Sequence, residues 1–300
     1  TRIRKAYLKN KTKIFSLNDV GDLTYPYKFL KGTTEDLRKI IEDKHDVSNI
    51  IKESKKPIII LGQSALSSNS GKYIFESIKY FLKKNNKINN EWNALNIISE
   101  NASTVGSFDL GIFQINNGSN QILSNLQDHK YELVFLLGQD SLKFDKKNEF
   151  IIYQGSHGDR GAEIADVVLP SAAYTEENGL YQNLEGRVQE CRKASYPAGE
   201  ALESWKVLNK IAKSYKNQNL FESFNTLRSE LIKKLVNFDS INKLPKYKEP
   251  SKKINNIFKN DKIIINPIDY YFSNSISRSS KVMSECRDIK LKHLKSGTNN

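Results

Sequence analysis

The sequence contains little cysteine and little histidine. Its 300 residues include two cysteines, Cys191 and Cys286, and four histidines. Neither cysteine has a second Cys or a His at the spacing that zinc and iron–sulfur sites use. Two thiols also cannot form a disulfide scaffold, and they fit a reducing compartment. We therefore predict that both thiols are free and that this chain supplies no metal ligands.

Long apolar runs are also missing. No stretch approaches the ~20 consecutive apolar residues that a membrane-spanning helix requires, and the mean hydropathy is -0.57. We therefore predict that the chain has no membrane span of its own.

Acidic residues are outnumbered, and the formal net charge is +13. Such a charge raises the hypothesis of a nucleic-acid partner. The basic residues, however, are spread along the chain with acids and asparagines between them, and no recognised nucleic-acid module accompanies them. The pattern favours a solvated basic surface and predicts no nucleic-acid partner.

Catalytic signals are weak throughout. His45, His129 and His293 stand alone in polar surroundings, and no Ser-His-Asp set or acid–base pair has a defensible spacing. The loop at 62–65 follows a predicted strand but lacks the spaced glycines and the later acidic residue of a dinucleotide site. We predict a tight strand-to-helix turn there, and no catalytic or cofactor-binding residue in this chain.

What the sequence does contain is an alternation of short apolar runs with helical patterns. A helix is predicted to begin at Thr33, which can cap it, with Glu35 and Asp36 in its first turn. Strands separated by helices imply a parallel sheet covered on both faces, which is a doubly wound α/β fold. The predicted strands cover 58–61, 92–98, 133–137, 150–153 and 165–169, and further helices cover 74–82, 203–212 and 219–236.

Residues 154–189 are the most informative segment. An apolar run leads into Gly155, Gly158 and Gly161, where we expect unusual dihedral angles or a close approach of the backbone. A second apolar run closes at Pro170, which cannot continue a strand ladder. A group of polar side chains that need partners then follows, made up of Tyr174, Glu176, Glu177, Tyr181, Asn183, Glu185 and Arg187.

The end of this segment predicts a rigid corner. In Asn183-x-Glu185-Gly186-Arg187 a carboxylate and a guanidinium lie two residues apart around a glycine. They can bind the neighbouring backbone or each other in a bidentate pair.

This segment resembles the signature of the molybdopterin oxidoreductase superfamily, and in particular that of the large iron–sulfur subunit of respiratory complex I. The resemblance extends along the chain in the same order, through residues 1–5, 22–25, 55–66, 133–138 and 269–280. It implies a molybdopterin-oxidoreductase-like α/β fold. A working pterin site would also need a Cys, selenocysteine, Ser or Asp ligand to the metal, and glycine-rich loops for the two phosphates. The sequence offers neither a convincing metal ligand nor convincing glycine-rich phosphate loops.

The resemblance implies a role as a non-catalytic structural part of the peripheral arm of complex I, which is an NADH:ubiquinone oxidoreductase. Members of the family bind 2Fe-2S and 4Fe-4S clusters through a Cys-rich N-terminal region that has no counterpart in this sequence. We therefore expect no cofactor in this chain. The clusters would be carried by an N-terminal portion of the same subunit. Either this portion is made as a separate chain, or processing has separated it from the present chain. The alternative is a C-terminal fragment of a true molybdopterin-dependent oxidoreductase.

The resemblance also implies partners and a location. We expect contacts with the iron–sulfur portion and with other peripheral-arm subunits, on the matrix side of the mitochondrial inner membrane. The alternative location is the cytoplasmic face of a bacterial inner membrane.

Four segments are predicted. They are a lead-in segment (1–30), the α/β domain (31–215), a helix with a basic linker (216–262) and a C-terminal docking segment (263–300). The last contains the aromatic cluster Tyr270-Tyr271-Phe272, which would be a liability if it lay exposed on a lone domain.

Overall fold

The computed structural model describes residues 1–112, 118–140, 142, 144–234, 240–245, 258–264 and 269–295. Contacts divide the chain into two units. The first comprises Thr1–Asn101 with Tyr247–Pro267, and the second comprises Ala102–Lys246 with Ile268–Asn300. This division cuts across the predicted α/β domain at residue 101, and it separates residues 263–267 from the rest of the predicted docking segment.

The first unit contains two small parallel sheets and the helices that join their strands. Strand β1 pairs with β2, and β3 pairs with β4. In chain order its elements are α1 (Arg2–Asn10), β1 (Phe15–Ser16), β2 (Lys28–Phe29), α2 (Thr34–Ile41), α3 (Asp46–Glu53), β3 (Ile59–Gly62), α4 (Gln63–Leu66), α5 (Gly71–Lys84) and β4 (Leu95–Ile98).

Local sequence signals explain where these helices begin. Thr33 caps α2 as predicted: its hydroxyl accepts from the backbone N–H of Asp36, and the Asp36 carboxylate accepts from the backbone of Thr33. This capping box satisfies two donors that the first turn would otherwise leave unpaired. Helix α5 buries Ile74, Ile78 and Leu82 at helical spacing in the core of the unit. The predicted turn after β3 is itself helical, because residues 63–66 form α4.

A segment distant in sequence completes the first unit. The hydroxyl of Thr34 lies 2.7 Å from the carbonyl oxygen of Lys259, and the backbone N–H of Ile263 donates to Gly32 at 2.9 Å. Ile263 is buried in the same core as α5. Residues 259 and 261 of the predicted linker are thus hydrogen-bonded to the start of α2, and Ile263, the first residue of the predicted docking segment, belongs to the core of the first unit. Residues 246–257 of that predicted linker lie outside the described residues.

The second unit contains a three-stranded parallel sheet with the order β5-β6-β7 and an antiparallel hairpin formed by β8 and β9. In chain order its elements are α6 (Thr104–Asp109), α7 (Gly118–Gln127), β5 (Leu133–Leu137), β6 (Phe150–Gly155), α8 (Arg160–Glu163), β7 (Val167–Pro170), β8 (Gly179–Gln182), β9 (Val188–Cys191), α9 (Ser204–Lys216), α10 (Phe224–Lys234), α11 (Ser275–Arg278) and α12 (Lys281–Lys295).

The two faces of the three-stranded sheet differ. Leu136, Ile151 and Tyr153 point into a core that Leu126 of α7 and Phe144 complete. On the opposite face, Leu133, Phe135, Leu137 and Phe150 are 51%, 41%, 55% and 48% exposed. We call these four side chains the open face. The α/β class and the parallel strands are confirmed, whereas the predicted cover on both faces is absent over this part of the described sheet.

The C-terminal part of the second unit is helical. Its last helix, α12, contains Val282 and Met283. Tyr270 is 74% exposed, and the guanidinium of Arg287 lies over the ring of Phe272, 4.5 Å from its centroid. Across the described residues, none of the helices combines the length and apolar character that crossing a bilayer requires.

Candidate functional site

A cavity lies where the parallel strands of the second unit end. Strands β5, β6 and β7 all end at this edge, and the cavity has a volume of about 240 Å³. In open parallel sheets the crevice outside the carboxyl ends of the strands is the usual ligand position. Its lining includes Leu137 and Gly155, the last residues of β5 and β6. The polar side chains of the lining include Asp140, Gln154, Ser171, Glu177, Ser204 and Ser275.

Tyr153 of β6 binds the loops that follow β5 and β6. Its ring is 1% exposed, and its hydroxyl lies 2.5 Å from Oδ1 of Asp140 and 2.7 Å from the carbonyl oxygen of His157. Burial raises the pKa of the Tyr153 hydroxyl well above its ordinary value, and the hydrogen bond to Asp140 raises it further. The phenol therefore stays protonated at neutral pH and acts as a structural donor.

The ring of Tyr153 leaves no room for a side chain at two glycines of the signature, Gly155 and Gly161. A Cβ on Gly155 would lie 2.1 Å from the hydroxyl oxygen of Tyr153, and one on Gly161 would lie 2.5 Å from the carbonyl oxygen of Gln139. Gly158 has room, since its nearest neighbour would be Cβ of Ala162 at 3.9 Å. The expected close approach therefore occurs at Gly155 and Gly161 and not at Gly158.

An arginine from the C-terminal helix α11 joins this edge of the sheet. The Nε of Arg278 donates to Oδ2 of Asp159, and its NH2 lies 3.7 Å from Oδ2 of Asp140. Burial alone would raise the pKa of Asp159, but the hydrogen bonds from Arg278 and from the backbone of Arg160 outweigh burial and hold that pKa below 3.8. Sequence analysis missed this cluster.

Gln154 lies at the carboxyl end of β6 and is 5% exposed. Its Nε2 is 3.2 Å from the carbonyl oxygen of Ser204 and 3.4 Å from the hydroxyl of Ser171. Its Oε1 is buried and has no hydrogen-bond partner among the described residues.

The acidic side chains of the signature bind backbone. Oε2 of Glu176 accepts from the N–H of Ala173 at 3.0 Å, and Oε2 of Glu177 accepts from the N–H of Ser204 at 2.9 Å. The second bond joins the signature to the first residue of α9. These carboxylates fix loops, as the density of partner-seeking groups in this segment suggested.

The corner after β8 is held by hydrogen bonds between side chains and backbone, which is one of the two arrangements that the sequence allowed. Asn183 organises it, because Oδ1 of its side chain accepts from the backbone N–H groups of Glu185 and Arg187, both at 3.0 Å. The Nε of Arg187 lies 3.9 Å from Glu185, whose side chain is 63% exposed. Of the two arrangements that the sequence allowed, the bidentate pair is not formed, and the guanidinium binds backbone instead, with its NH1 3.2 Å from the carbonyl oxygen of Asn242. The turn is rigid because of the asparagine and because Gly186 adopts a positive φ of 79°.

A second cavity of about 370 Å³ lies beside the hairpin, and helix α10 contributes several apolar residues to its lining. Gln182 of β8 is buried there, and its Nε2 donates to Asp109 at 2.8 Å. Like Gln154, it has a buried Oε1 with no partner among the described residues. The apolar lining gives this cavity no evident chemical role.

The cysteines and histidines occupy separate places. Cys191 on β9 is half-buried and Cys286 on α12 is exposed, and both are free. His157 contacts Ser156 in its loop at 3.0 Å. Within the part of the chain that the structure describes, no group of three or more His, Cys, Asp or Glu side chains could hold a metal ion.

Two histidines that the sequence left as isolated have partners. Nδ1 of His129 lies 2.6 Å from Oε1 of Glu149, which is 3% exposed. The pKa of Glu149 is lowered, chiefly because the backbone N–H of Lys147 donates to it. In the first unit, Nδ1 of His45 accepts from the N–H of Val47 and caps α3. Both interactions are structural.

Comparison with known families gives two matches. Residues 1–214 match the profile described as "Molybdopterin oxidoreductase". The chain belongs to the molybdopterin oxidoreductase family. Residues 241–286 match a second profile, which describes the C-terminal part of the G subunit of NADH-ubiquinone oxidoreductase. Together they confirm the resemblance to the large subunit of complex I that the signature indicated.

The relatives of this chain are named as subunits of NADH-ubiquinone or NADH-quinone oxidoreductase. The chain is 36% identical over 295 residues to the "NADH-ubiquinone oxidoreductase 75 kDa subunit" of Reclinomonas americana, covering 96% of this chain and 42% of the relative. It is 35% identical to the G subunit of the NADH-quinone oxidoreductase of Rickettsia bellii, covering 93% of this chain and 40% of the relative. It is 34% identical to the "NADH-ubiquinone oxidoreductase 78 kDa subunit, mitochondrial" of Candida albicans, covering 95% and 40%. The chain thus spans about two-fifths of the length of these relatives.

The family implies a pterin dinucleotide, and the strand-end cavity tests whether the residues present fit one. Its phosphates would need unpaired cations or free N–H donors. The guanidinium of Arg278 is already shared by two carboxylates, and the N–H of Arg160 at the start of α8 donates to Asp159 at 2.8 Å. The described lining of the cavity includes the carboxylates of Asp140 and Glu177 and no lysine, arginine or histidine, so its charge would oppose a phosphate. The charges and donors at this edge do not fit the group.

Proposed function

We propose that this chain is a non-catalytic structural part of the peripheral arm of respiratory complex I. It would support electron transfer from NADH to ubiquinone through iron–sulfur clusters that an N-terminal portion of the same subunit carries, as a separate chain or as part of a longer one. The observation that carries this proposal is the 36% identity to a 75 kDa complex I subunit over 96% of the chain. The match of residues 241–286 to the C-terminal profile of NADH-ubiquinone oxidoreductase supports it independently of the molybdopterin-like region.

The site supports the non-catalytic part of the proposal. The polar side chains at the strand ends bind backbone or one another, and the edge of the sheet is unsuited to an anionic cofactor. The two cysteines lie on β9 and α12, and neither belongs to a metal-binding group of the described residues. We therefore propose that this chain supplies no catalytic, cofactor-binding or metal-binding residue.

The open face supports a role in assembly. Parallel sheets are buried on both faces in nearly all α/β proteins, yet Leu133, Phe135, Leu137 and Phe150 are each more than 40% exposed. We propose as partners the iron–sulfur portion of the subunit and other peripheral-arm subunits. The proposed location is the matrix side of the mitochondrial inner membrane, or in a bacterium the cytoplasmic face of the inner membrane.

Purification through an affinity tag on this chain tests the proposal. The co-purifying proteins, identified by mass spectrometry, should include complex I subunits. Metal analysis of the same sample should find iron and no stoichiometric molybdenum or tungsten. Molybdenum that scales with this polypeptide would instead favour a true molybdopterin-dependent oxidoreductase. The absence of complex I subunits from an intact preparation would refute the assembly role.

A further inference from the structure

The C-terminal helical segment, residues 269–295, is attached to the sheet at the edge where ligands of parallel sheets normally bind. Ser275, the first residue of α11, lines the cavity. Asn274 caps this helix in a capping box: its Oδ1 accepts from the N–H of Ser277 at 2.9 Å, and its own N–H donates to the Ser277 hydroxyl at 3.1 Å. The cap fixes a single turn of helix, which carries Arg278 at its end.

Arg278 makes contacts in three directions. Its Nε donates to Asp159, its NH2 lies 3.7 Å from Asp140, and its NH1 lies 3.3 Å from the carbonyl oxygen of Phe272. The first two bind the loops that follow β5 and β6, and the third binds its own segment. The guanidinium suits this position because its five donors lie in a fixed plane and can bind several oxygens at once.

The strand ends need this cation. Asp140 is 6% exposed and Asp159 lies nearby, so two carboxylates share one edge of the sheet. The neighbouring Arg160 reaches Asp145 instead, at 3.5 Å. Removing the guanidinium would leave the buried Asp140 carboxylate with the Tyr153 hydroxyl as a hydrogen-bond donor but without this counter-charge, which is costly.

We propose that Arg278 is the anchor that holds the C-terminal helical segment at the carboxyl edge of the sheet. It takes up the charge of Asp140 and Asp159 and holds residues 269–295 beside the cavity, which Ser275 of the same segment lines. The proposal deepens the proposed non-catalytic function and rests on it for the statement that no pterin competes for this edge.

Hydrogen exchange measured by mass spectrometry tests this anchor in the tagged chain, purified together with its partners. Arg278→Gln should raise exchange by about tenfold or more both in residues 269–280 and in the loop 155–160, because each loses its anchor. The matched control is Arg287→Gln, which removes the same charge from the same segment. Arg287 pairs with Asp269 at 2.5 Å, so its loss should leave the loop 155–160 unchanged.

A second background separates the anchor from general unfolding. In a chain carrying Asp140→Asn and Asp159→Asn, the further change Arg278→Gln should have little added effect, because coupled residues are not additive. Equal exchange of the loop 155–160 in the wild type and in Arg278→Gln would overturn the proposal. An undiminished effect of Arg278→Gln in the double-Asn background would overturn it too.

The same sample keeps the two proposals apart. Molybdenum in it, or the absence of complex I subunits from it, would refute the proposed function. The exchange pattern would still report whether Arg278 anchors the C-terminal segment.

Discussion

Replacing Gly161 with alanine tests the packing at the strand ends most directly. Gly161 is buried in the single turn of α8, and a Cβ there would lie 2.5 Å from the carbonyl oxygen of Gln139 and 3.0 Å from two ring carbons of Tyr153. Ordinary contacts of a Cβ are 3.4–4 Å. The carbonyl is backbone, and the tyrosine is held by Asp140, so neither neighbour can rotate away.

Two effects oppose each other in this substitution. Alanine is the better helix former, by up to about 1 kcal/mol. Overpacking of a rigid site costs about 1–3 kcal/mol, and more where backbone must move. The overlap with a backbone oxygen puts Gly161→Ala at the upper end of that range. We therefore expect a net loss of about 2 kcal/mol, which corresponds to a roughly 30-fold increase in the open population.

Hydrogen exchange of β6 measures this loss. The amides of residues 151–154 should exchange roughly 30-fold faster in Gly161→Ala if they open with the strand ends. The control is Gly158→Ala, three residues earlier, where the nearest atom would be 3.9 Å away. It should exchange like the wild type. If the two variants protect β6 equally, the close approach at Gly161 does not constrain the fold, and the reasoning fails.

Four further predictions follow from the exposure and charge of individual side chains. Arg187→Ala should change stability by less than about 1 kcal/mol, because its ion pair is solvated, and native gels should show normal assembly. Changing both Cys191 and Cys286 to Ser should preserve every iron–sulfur signal in electron paramagnetic resonance, and the loss of one would reveal a missed ligand. Folding lowers the pKa of the Asp159 carboxyl, so its contribution to stability is complete above pH 3.8 and is lost as the pH falls through the lower pKa of the folded state. Pepsin should therefore cleave the C-terminal segment faster as the pH falls from 5 to 3, and the cleavage rate should depend less on pH in Asp159→Asn. The isolated chain should aggregate through its open face, and Phe135→Lys should reduce light scattering without lowering the melting temperature.

The prediction for Arg187 differs from what its sequence suggests. A glutamate and an arginine around a glycine indicate a pair whose loss costs several kcal/mol if it is buried. In the structure the glutamate is 63% exposed. Exposure of a turn depends on what packs against it, and the sequence of the turn does not encode that. The asparagine that organises the corner was recognised only as one of several polar groups.

Local signals predicted the elements well. Strand β5 begins and ends at Leu133 and Leu137 as its apolar run indicates, and the Thr33 cap sets the start of α2. These features depend on neighbours within four residues, which the sequence displays directly. Pro170 was expected to stop a strand, and it lies at the last position of β7.

The polar cluster at the strand ends could not be predicted in the same way. Arg278 and Asp159 are 119 residues apart, and no spacing rule relates them. The sequence assigned the arginine to a segment that docks on a partner, whereas it binds the sheet of its own unit. A parallel sheet brings loops from distant positions to one edge, so the partners of a side chain there follow from topology.

The open face connects the sequence pattern to the proposed role. Leu133-Val134-Phe135-Leu136-Leu137 is apolar at every position, whereas a strand with one solvated face alternates apolar with polar residues. In the structure only the alternate positions of this run face the core, and Leu133, Phe135 and Leu137 remain exposed. Apolar side chains at those positions contribute nothing to the core of the second unit, and their exposure favours aggregation. Their presence is explained if a second layer covers the sheet in the assembled protein. A subunit that acts by holding neighbours in place requires such a surface, whereas a site that acts on a substrate does not.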